Sequence, residues 1–248
     1  MPRNVRAIGG RVCLGAGVVA VVCAAGFKPL RASGPVVSRT KRTEIAAKTS
    51  LSRQNWSQFT DQTVDAKVLD LALGAASCAS RAGLVEDPET LTLIDYSRRS
   101  ADRRLWVFDL HSGRVLHHEL VAHGQGTGGD LASAFSNAPD SHQSSLGLFL
   151  TADTYVGRNG YSLRLDGLDP GFNDRARERA IVMHGAPYVS DDFVRAQGRL
   201  GRSWGCPALG ESVARTVIDR IKGGNLVFAY YPDQAWLNGS RLLGGCQV

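Results

Sequence analysis

The sequence predicts a mainly β domain, preceded by one helix and containing another near its end. Three observations carry this. From residue 90 onward, short runs of branched and aromatic residues alternate with turn residues, as in 105–110, His111-Ser112-Gly113 and 115–123. Before residue 85 the apolar spacing is three and four instead, at Val64, Val68, Leu71, Ala72, Ala75 and Ala79. The helical spacing returns once, at Val213, Ala214, Val217, Ile218 and Ile221.

Taken in order, residues 1–25 read as a signal peptide. Arg3, Arg6 and Arg11 precede an uncharged run, 12–25, that ends in small residues and is short for a bilayer span. An uncleaved anchor is the competing reading. Cys23 follows Val22 rather than a small residue, which disfavours lipid attachment. Residues 26–52 read as a basic flexible linker. Residues 53–89 form a helical segment, with a helix over 56–84 stopped by Gly83 and the chain broken at Asp87-Pro88. Strands are expected at 91–96, 105–110, 115–123, 146–151, 161–165, 180–184 and 225–231, within a catalytic domain over 90–234. Gly223-Gly224 ends the second helix. Residues 235–248 read as a C-terminal tail.

Bulk properties narrow the function. The 248 residues are 43% hydrophobic and 21% charged, as in a globular protein. The net charge of +6 is unevenly spread. Ten of the 29 bases but one of the 23 acids precede residue 54, leaving 19 bases against 22 acids beyond it. That excludes a strongly basic nucleic-acid surface on the folded body. The basic arm either meets anionic membrane or wall polymer, or is solvated. Of five cysteines, Cys13 and Cys23 lie in the signal. Export would leave Cys78, Cys206 and Cys246, one reactive thiol and one bonded pair, with Cys78 and Cys246 the candidates for the bridge.

The chemistry concentrates in Arg202-Ser203-Trp204-Gly205-Cys206-Pro207 and in His184-Gly185, twenty-two residues before the cysteine. A thiol needs a base to become a nucleophile at neutral pH, and imidazole is the usual one. Gly205 lets the backbone approach a substrate, and the amides of Gly205 and Cys206 could form an oxyanion hole. Pro207 suits a first helical position, which would put Cys206 at a positive helix end and lower its pKa. His184 ends an apolar strand and has no Asp or Asn within five residues, so the Gly185 carbonyl is its candidate orienting group. His123-Gly124-Gln125-Gly126 ends another strand and could line the same cleft. His117 and His118 are adjacent in a strand and face opposite sides. Three readings compete: a structural or disulfide-bonded Cys206, a core His184, and a zinc site from His123, His184 and Cys206, which lacks close ligand spacing. The glycine-rich run 124–129 lacks the Lys-Ser/Thr ending of a phosphate loop.

These residues resemble a known family. Ile181-Val182-Met183-His184-Gly185-Ala186-Pro187-Tyr188-Val189-Ser190, followed by Gly198-Arg199-Leu200-Gly201-Arg202-Ser203-Trp204-Gly205-Cys206-Pro207-Ala208, is similar to the catalytic signature of the cysteine L,D-transpeptidases, in the branch with a Ser-Trp-Gly-Cys-Pro motif. Val121-Ala122-His123-Gly124, Ser144-Ser145-Leu146-Gly147 and Leu165-Asp166-Gly167-Leu168 resemble other segments of that branch. The similarity covers about residues 90–235. It implies an L,D-transpeptidase-like β-sandwich or mixed barrel with a helical N-terminal segment and one helix after the cysteine. It also implies an envelope location, a Cys206 nucleophile, a His184 base held by the Gly185 carbonyl, and peptidoglycan stem peptides as substrate. The sequence gives no metal or organic cofactor a role. Better-studied members carry His where Trp204 stands, and Arg where Ala208 stands. Arg202 or Arg199 could take over that Arg role, with Ser203 and Trp204 as further substrate contacts. The expected reaction is transfer through a Cys206 thioester to a second stem. Hydrolysis of the same thioester, or a non-catalytic wall-binding protein, are the alternatives.

Overall fold

In the computed structural model, which describes residues 63–246, the chain runs α1 (Ala66–Arg81), β1 (Thr90–Asp95), β2 (Leu105–Asp109), β3 (Val115–Glu119), β4 (Val121–Ala122), β5 (Gly147–Gly157), β6 (Gly160–Gly167), β7 (Val182–Ala186), α2 (Asp191–Gln197), β8 (Ala208–Gly210), α3 (Glu211–Ile221), β9 (Leu226–Tyr230) and α4 (Gln234–Gly239). The expected signal, the basic linker and the start of the 56–84 helix lie outside the described residues. The strands form one mixed sheet in the order β3-β2-β1-β9-β5-β6-β7-β8-β4. Its two edges, β3 and β4, are consecutive in the chain and separated only by Leu120. The sheet therefore curls until its edges meet. The strand spacing predicts the mainly β content, and the nearly closed sheet agrees with the barrel-like fold that the family resemblance implies.

The single strand expected over 115–123 is thus two. β3 pairs with β2, whereas β4 crosses to β8 on the opposite edge. The alternation of side chains runs through both, so the change of partner leaves no trace in the pattern. β5 and β6 extend past their expected ends into a hairpin closed at Gly157↔Gly160, with Arg158 and Asn159 at the tip. The outer half of that hairpin is largely solvated and carries no apolar run. β7 begins two residues later than expected, because Ala180 sits at φ 53° at the end of a long turn.

Helices cover the sheet. Asp65 caps α1, its carboxylate accepting from the amides of Lys67 and Val68, and so starts the helix within the longer apolar pattern. Val68, Leu69, Ala72, Leu73, Ala75, Ala76 and Ala79 bury against β1, β5 and β9. Ala214, Val217, Ile218 and Ile221 of α3 do the same, mainly against β7. A fully buried Ile or Val there contributes roughly 1.5–3 kcal/mol. α2 and α4 were not foreseen. α2 has its own signals: Ser190 accepts from the Phe193 amide, Asp191 and Asp192 fill the first turn, and Gly198 ends it at φ 73°. α4 seats Trp236, fully buried beside Phe228 and Tyr230. Cys78 on α1 is disulfide-bonded to Cys246, with Cα atoms 5.3 Å apart. The expected pairing of these two cysteines is present, and Cys206 is the free cysteine among the described residues.

Candidate active site

β7 and β8 run parallel, with His184 opposite Ala208. That register brings the first half of β7 beside the loop that leads into β8. His184 and Cys206 consequently line one cleft of about 280 Å³, together with Arg158, Asn159, Tyr188, Arg202, Ser203 and Trp204.

Cys206 is 9% exposed. Its Sγ accepts from the Val182 amide at 3.5 Å and its S–H donates to the Ala180 carbonyl at 3.7 Å. Burial pushes the thiol above its ordinary pKa, against the pull of the Val182 N–H and the nearby Arg179 guanidinium. The expected helix-end activation is absent. Pro207 leads into β8, and α3 starts only at Glu211. The motif thus folds as loop then strand, with no helix dipole at the sulfur.

His184 is 5% exposed, and its Nδ1 bonds the Gly185 carbonyl at 2.8 Å. A carbonyl only accepts, so Nδ1 carries the proton and Nε2 keeps its lone pair. Burial holds the ring below the ordinary imidazole pKa. The neutral pH resting state is therefore a thiol beside a neutral imidazole. This arrangement can take the thiol proton as the sulfur attacks a carbonyl.

The loop before the cysteine is held by its own side chains. Ser203 Oγ accepts from the Gly205 amide at 3.1 Å and donates to the Cys206 carbonyl at 2.6 Å. Gly205 lies at φ 117°, and a Cβ there would sit 2.8 Å from the Gln143 carbonyl, so the position requires glycine. The expected pair of oxyanion amides is reduced to one. Gly205 N–H is occupied by Ser203, while Cys206 N–H has no partner among the described residues. Trp204 is 65% exposed at the lip of the cleft and stacks on His142, 5.0 Å between centroids and 12° from parallel. Gln125 Nε2 holds that ring at Nδ1, 2.9 Å away.

Four expected residues are not in the cleft lining: Gly185 and Gly205, which adjoin His184 and Cys206 in the chain, and His123 and Arg199. His123 is 1% exposed and sits behind the loop, where its carbonyl accepts from the Ser203 amide at 3.0 Å. Its Nδ1 accepts from the fully buried Arg104, 2.8 Å away. Burial and that guanidinium push the ring down to about 4. The donors of the competing zinc reading therefore do not converge, and no group of three His, Cys, Asp or Glu among the described residues is placed to hold a metal ion. Arg199 turns away and donates to the Leu200 carbonyl at 2.7 Å. Arg202 stays in the cleft, anchored by one bond to the Gly128 carbonyl at 3.0 Å. His118 stacks on Trp106 and His117 approaches Glu119, both away from the cleft.

Sequence reasoning missed Arg158 and Asn159, although Gly157-Arg158-Asn159-Gly160 is a recognisable two-residue hairpin turn. Tyr188 was also missed. It packs on Gly201, whose missing Cβ would lie 2.4 Å from the Tyr188 Cβ, and burial raises its hydroxyl to about 12. Arg179 lay too far along the chain to be linked to Cys206 by spacing.

Residues 60–230 match the family model described as the L,D-transpeptidase catalytic domain. Among solved structures, an L,D-transpeptidase from Mycobacterium smegmatis is similar at 15% identity and TM-score 0.37, covering 58% of this chain and 59% of that one. An L,D-transpeptidase from Mycobacterium tuberculosis H37Rv is similar at 15% identity and TM-score 0.35, covering 58% of each chain. A structure from Bdellovibrio bacteriovorus is similar at 17% identity and TM-score 0.37, covering 59% of this chain and 50% of that one. The chain thus spans about half to three-fifths of the length of these proteins. No curated protein sequence matches it.

Proposed function

Because the chain belongs to the L,D-transpeptidase catalytic-domain family, we propose that it is a cysteine acyltransferase acting on peptidoglycan stem peptides, in the branch with the Ser-Trp-Gly-Cys-Pro motif. The observation that carries the reading is the shared cleft of His184 and Cys206, with Nδ1 tied to Gly185 and Nε2 left free. His184 Nε2 takes the Cys206 proton as Sγ attacks the carbonyl of the stem's diamino acid. The tetrahedral oxyanion collapses, the C–N bond to the terminal D-alanine breaks, and the imidazolium returns its proton to the leaving amine. The acyl group then passes to the side-chain amine of a second stem: the new amide C–N bond forms, the C–S bond breaks, and His184 moves the amine's proton to the departing Cys206 sulfur.

The cleft suits such a donor. It carries Arg158 and Arg202 and no acidic lining residue, and stem peptides are rich in carboxylates. The reading that Cys206 is half of a disulfide loses support, since Cys78 and Cys246 bond each other. Residues 1–25 would carry the protein to the envelope, where its substrate lies. The basic 26–52 arm would meet anionic membrane or wall polymer there.

Purified stem tetrapeptides incubated with the protein test this by mass. A cross-linked dimer with loss of one alanine is the expected result. Tripeptide alone would make the protein an L,D-carboxypeptidase through the same thioester. Unchanged tetrapeptide, with no alkylation of Cys206, would overturn the reading and favour a wall-binding protein.

A further inference from the structure

We propose that Ser144 is a positioning residue that aims the Cys206 N–H at the developing oxyanion, so that this amide works as the oxyanion donor without its Gly205 neighbour. The inference rests on the acyltransferase reading above. Ser144 is 1% exposed and lies 62 positions before the nucleophile. Its Oγ accepts from the Gly124 amide at 3.0 Å and donates to the Gly205 carbonyl at 3.1 Å. Its own amide donates to Thr127 Oγ1 at 2.7 Å, and its carbonyl accepts from the Ser136 amide at 3.1 Å. Every polar group of this residue is thus engaged, and the hydroxyl joins two loops that sequence places far apart.

The Gly205 carbonyl and the Cys206 N–H belong to one planar trans peptide, so they point in opposite directions. Holding the oxygen toward the buried Ser144 turns the N–H away from the interior. Ser203 fixes the next peptide by donating to the Cys206 carbonyl at 2.6 Å. The two serines therefore set both peptide planes flanking the Cys206 Cα. A nucleophile's own amide is a well-placed oxyanion donor, because the oxyanion forms two bonds from the attacking atom. Gly124 lets the loops meet: a Cβ there would lie 2.3 Å from the His142 carbonyl and 2.9 Å from the Gly205 Cα.

The test separates aim from fold by using two reactions of the same sulfur. Acylation by a stem tetrapeptide builds an oxyanion, whereas alkylation by iodoacetamide does not. In Ser144→Ala, single-turnover thioester formation, followed by intact-protein mass, is expected to fall about 10- to 100-fold, a loss comparable to weakening one oxyanion donor. Alkylation of Cys206 is expected to stay within about twofold of the unmodified protein, and so is KM. Ser77→Ala, which removes a buried hydroxyl on α1, is the control and is expected to change neither reaction. An equal fall in both reactions would show a merely structural hydroxyl and overturn the proposal, as would unchanged acylation. Should Ser144→Ala not fold, Ser144→Cys keeps a weaker donor at the same place, and it is read by the same split between acylation and alkylation. Full activity in Cys206→Ala would instead overturn the acyltransferase reading, leaving that failure distinct from this one.

Discussion

His123 lies just past the end of β4 and His184 in the middle of β7, the two strands that flank β8; each is followed by glycine, yet they are opposite tautomers. Arg104 donates into Nδ1 of His123, so that nitrogen is the acceptor and Nε2 bears the proton. The Gly185 carbonyl accepts from Nδ1 of His184, so Nε2 is the free base. One ring is sealed behind the loop, and the other opens on the cleft. The partner at Nδ1, more than the glycine that follows each ring, decides which histidine can take a proton from a thiol.

The largest effect that sharpens this comparison is at the sulfur that shares the cleft with His184. Cys206→Ala is expected to abolish stem-peptide turnover and to leave the melting temperature nearly unchanged. The family resemblance adds that a carbapenem will form a mass adduct on the unmodified protein and none on this variant.

His184→Gln is expected to lower the rate at least about 10²-fold, the low end for general acid–base catalysis. His123→Gln can still accept from Arg104 and is expected to cost less than about 10-fold, through loop packing alone. Steady-state rates of the two variants decide. Equal losses would break the comparison.

Titration gives a third contrast. His184 is neutral in the resting state, so the acid limb of the acylation rate is expected to fall below pH 6.5. Burial raises the Cys206 thiol above its ordinary pKa, so the midpoint of iodoacetamide alkylation is expected at higher pH than for a free cysteine. His123 acts on stability instead. The unfolded chain binds its proton near 6.5 and the folded chain only near 4, so stability is expected to fall as pH drops between those values and to level off below. Urea midpoints against pH, with His123→Gln flattening the window, check the sign.

Arg202→Met is expected to raise KM for a stem peptide about 10-fold with little change in kcat, as one charge-assisted contact is removed. A larger fall in kcat than in affinity would mean that Arg202 acts on the transition state. Smallest for turnover is the Cys78–Cys246 bridge. The double variant Cys78→Ser/Cys246→Ser is expected to lose about 2–4 kcal/mol of stability by denaturant titration and to keep the rate of Cys206.

The local patterns were legible where one partner served a whole segment. The apolar spacing of α3 and the β1–β2–β3 meander could be read directly, because burial on one face imposes a period. The break at Leu120 could not, because the alternation survives the move from β2 to β8. Pro207 pointed to a helix start, but pairing with β7 and β4 holds residues 208–210 in a strand. The proposed nucleophile, the proposed base and the carbonyl that orients it lie in two short segments of sequence. A rare residue order with its chemistry attached needs no fold to be noticed.

Sequence alone therefore singled out the candidates for the proposed chemistry, one thiol and one imidazole, and determined which two cysteines were left to pair. Only the tertiary structure decided what each group faces. It withdrew His123 and Arg199 from the cleft, gave Gly205 N–H to Ser203, brought Arg158 and Tyr188 into the lining, and set Arg179 and Ser144 beside Gly205. Identity and spacing fix what a side chain can do within its own segment. Burial and hydrogen-bond partners depend on chain segments 20 to 60 positions away, which meet only when the sheet closes.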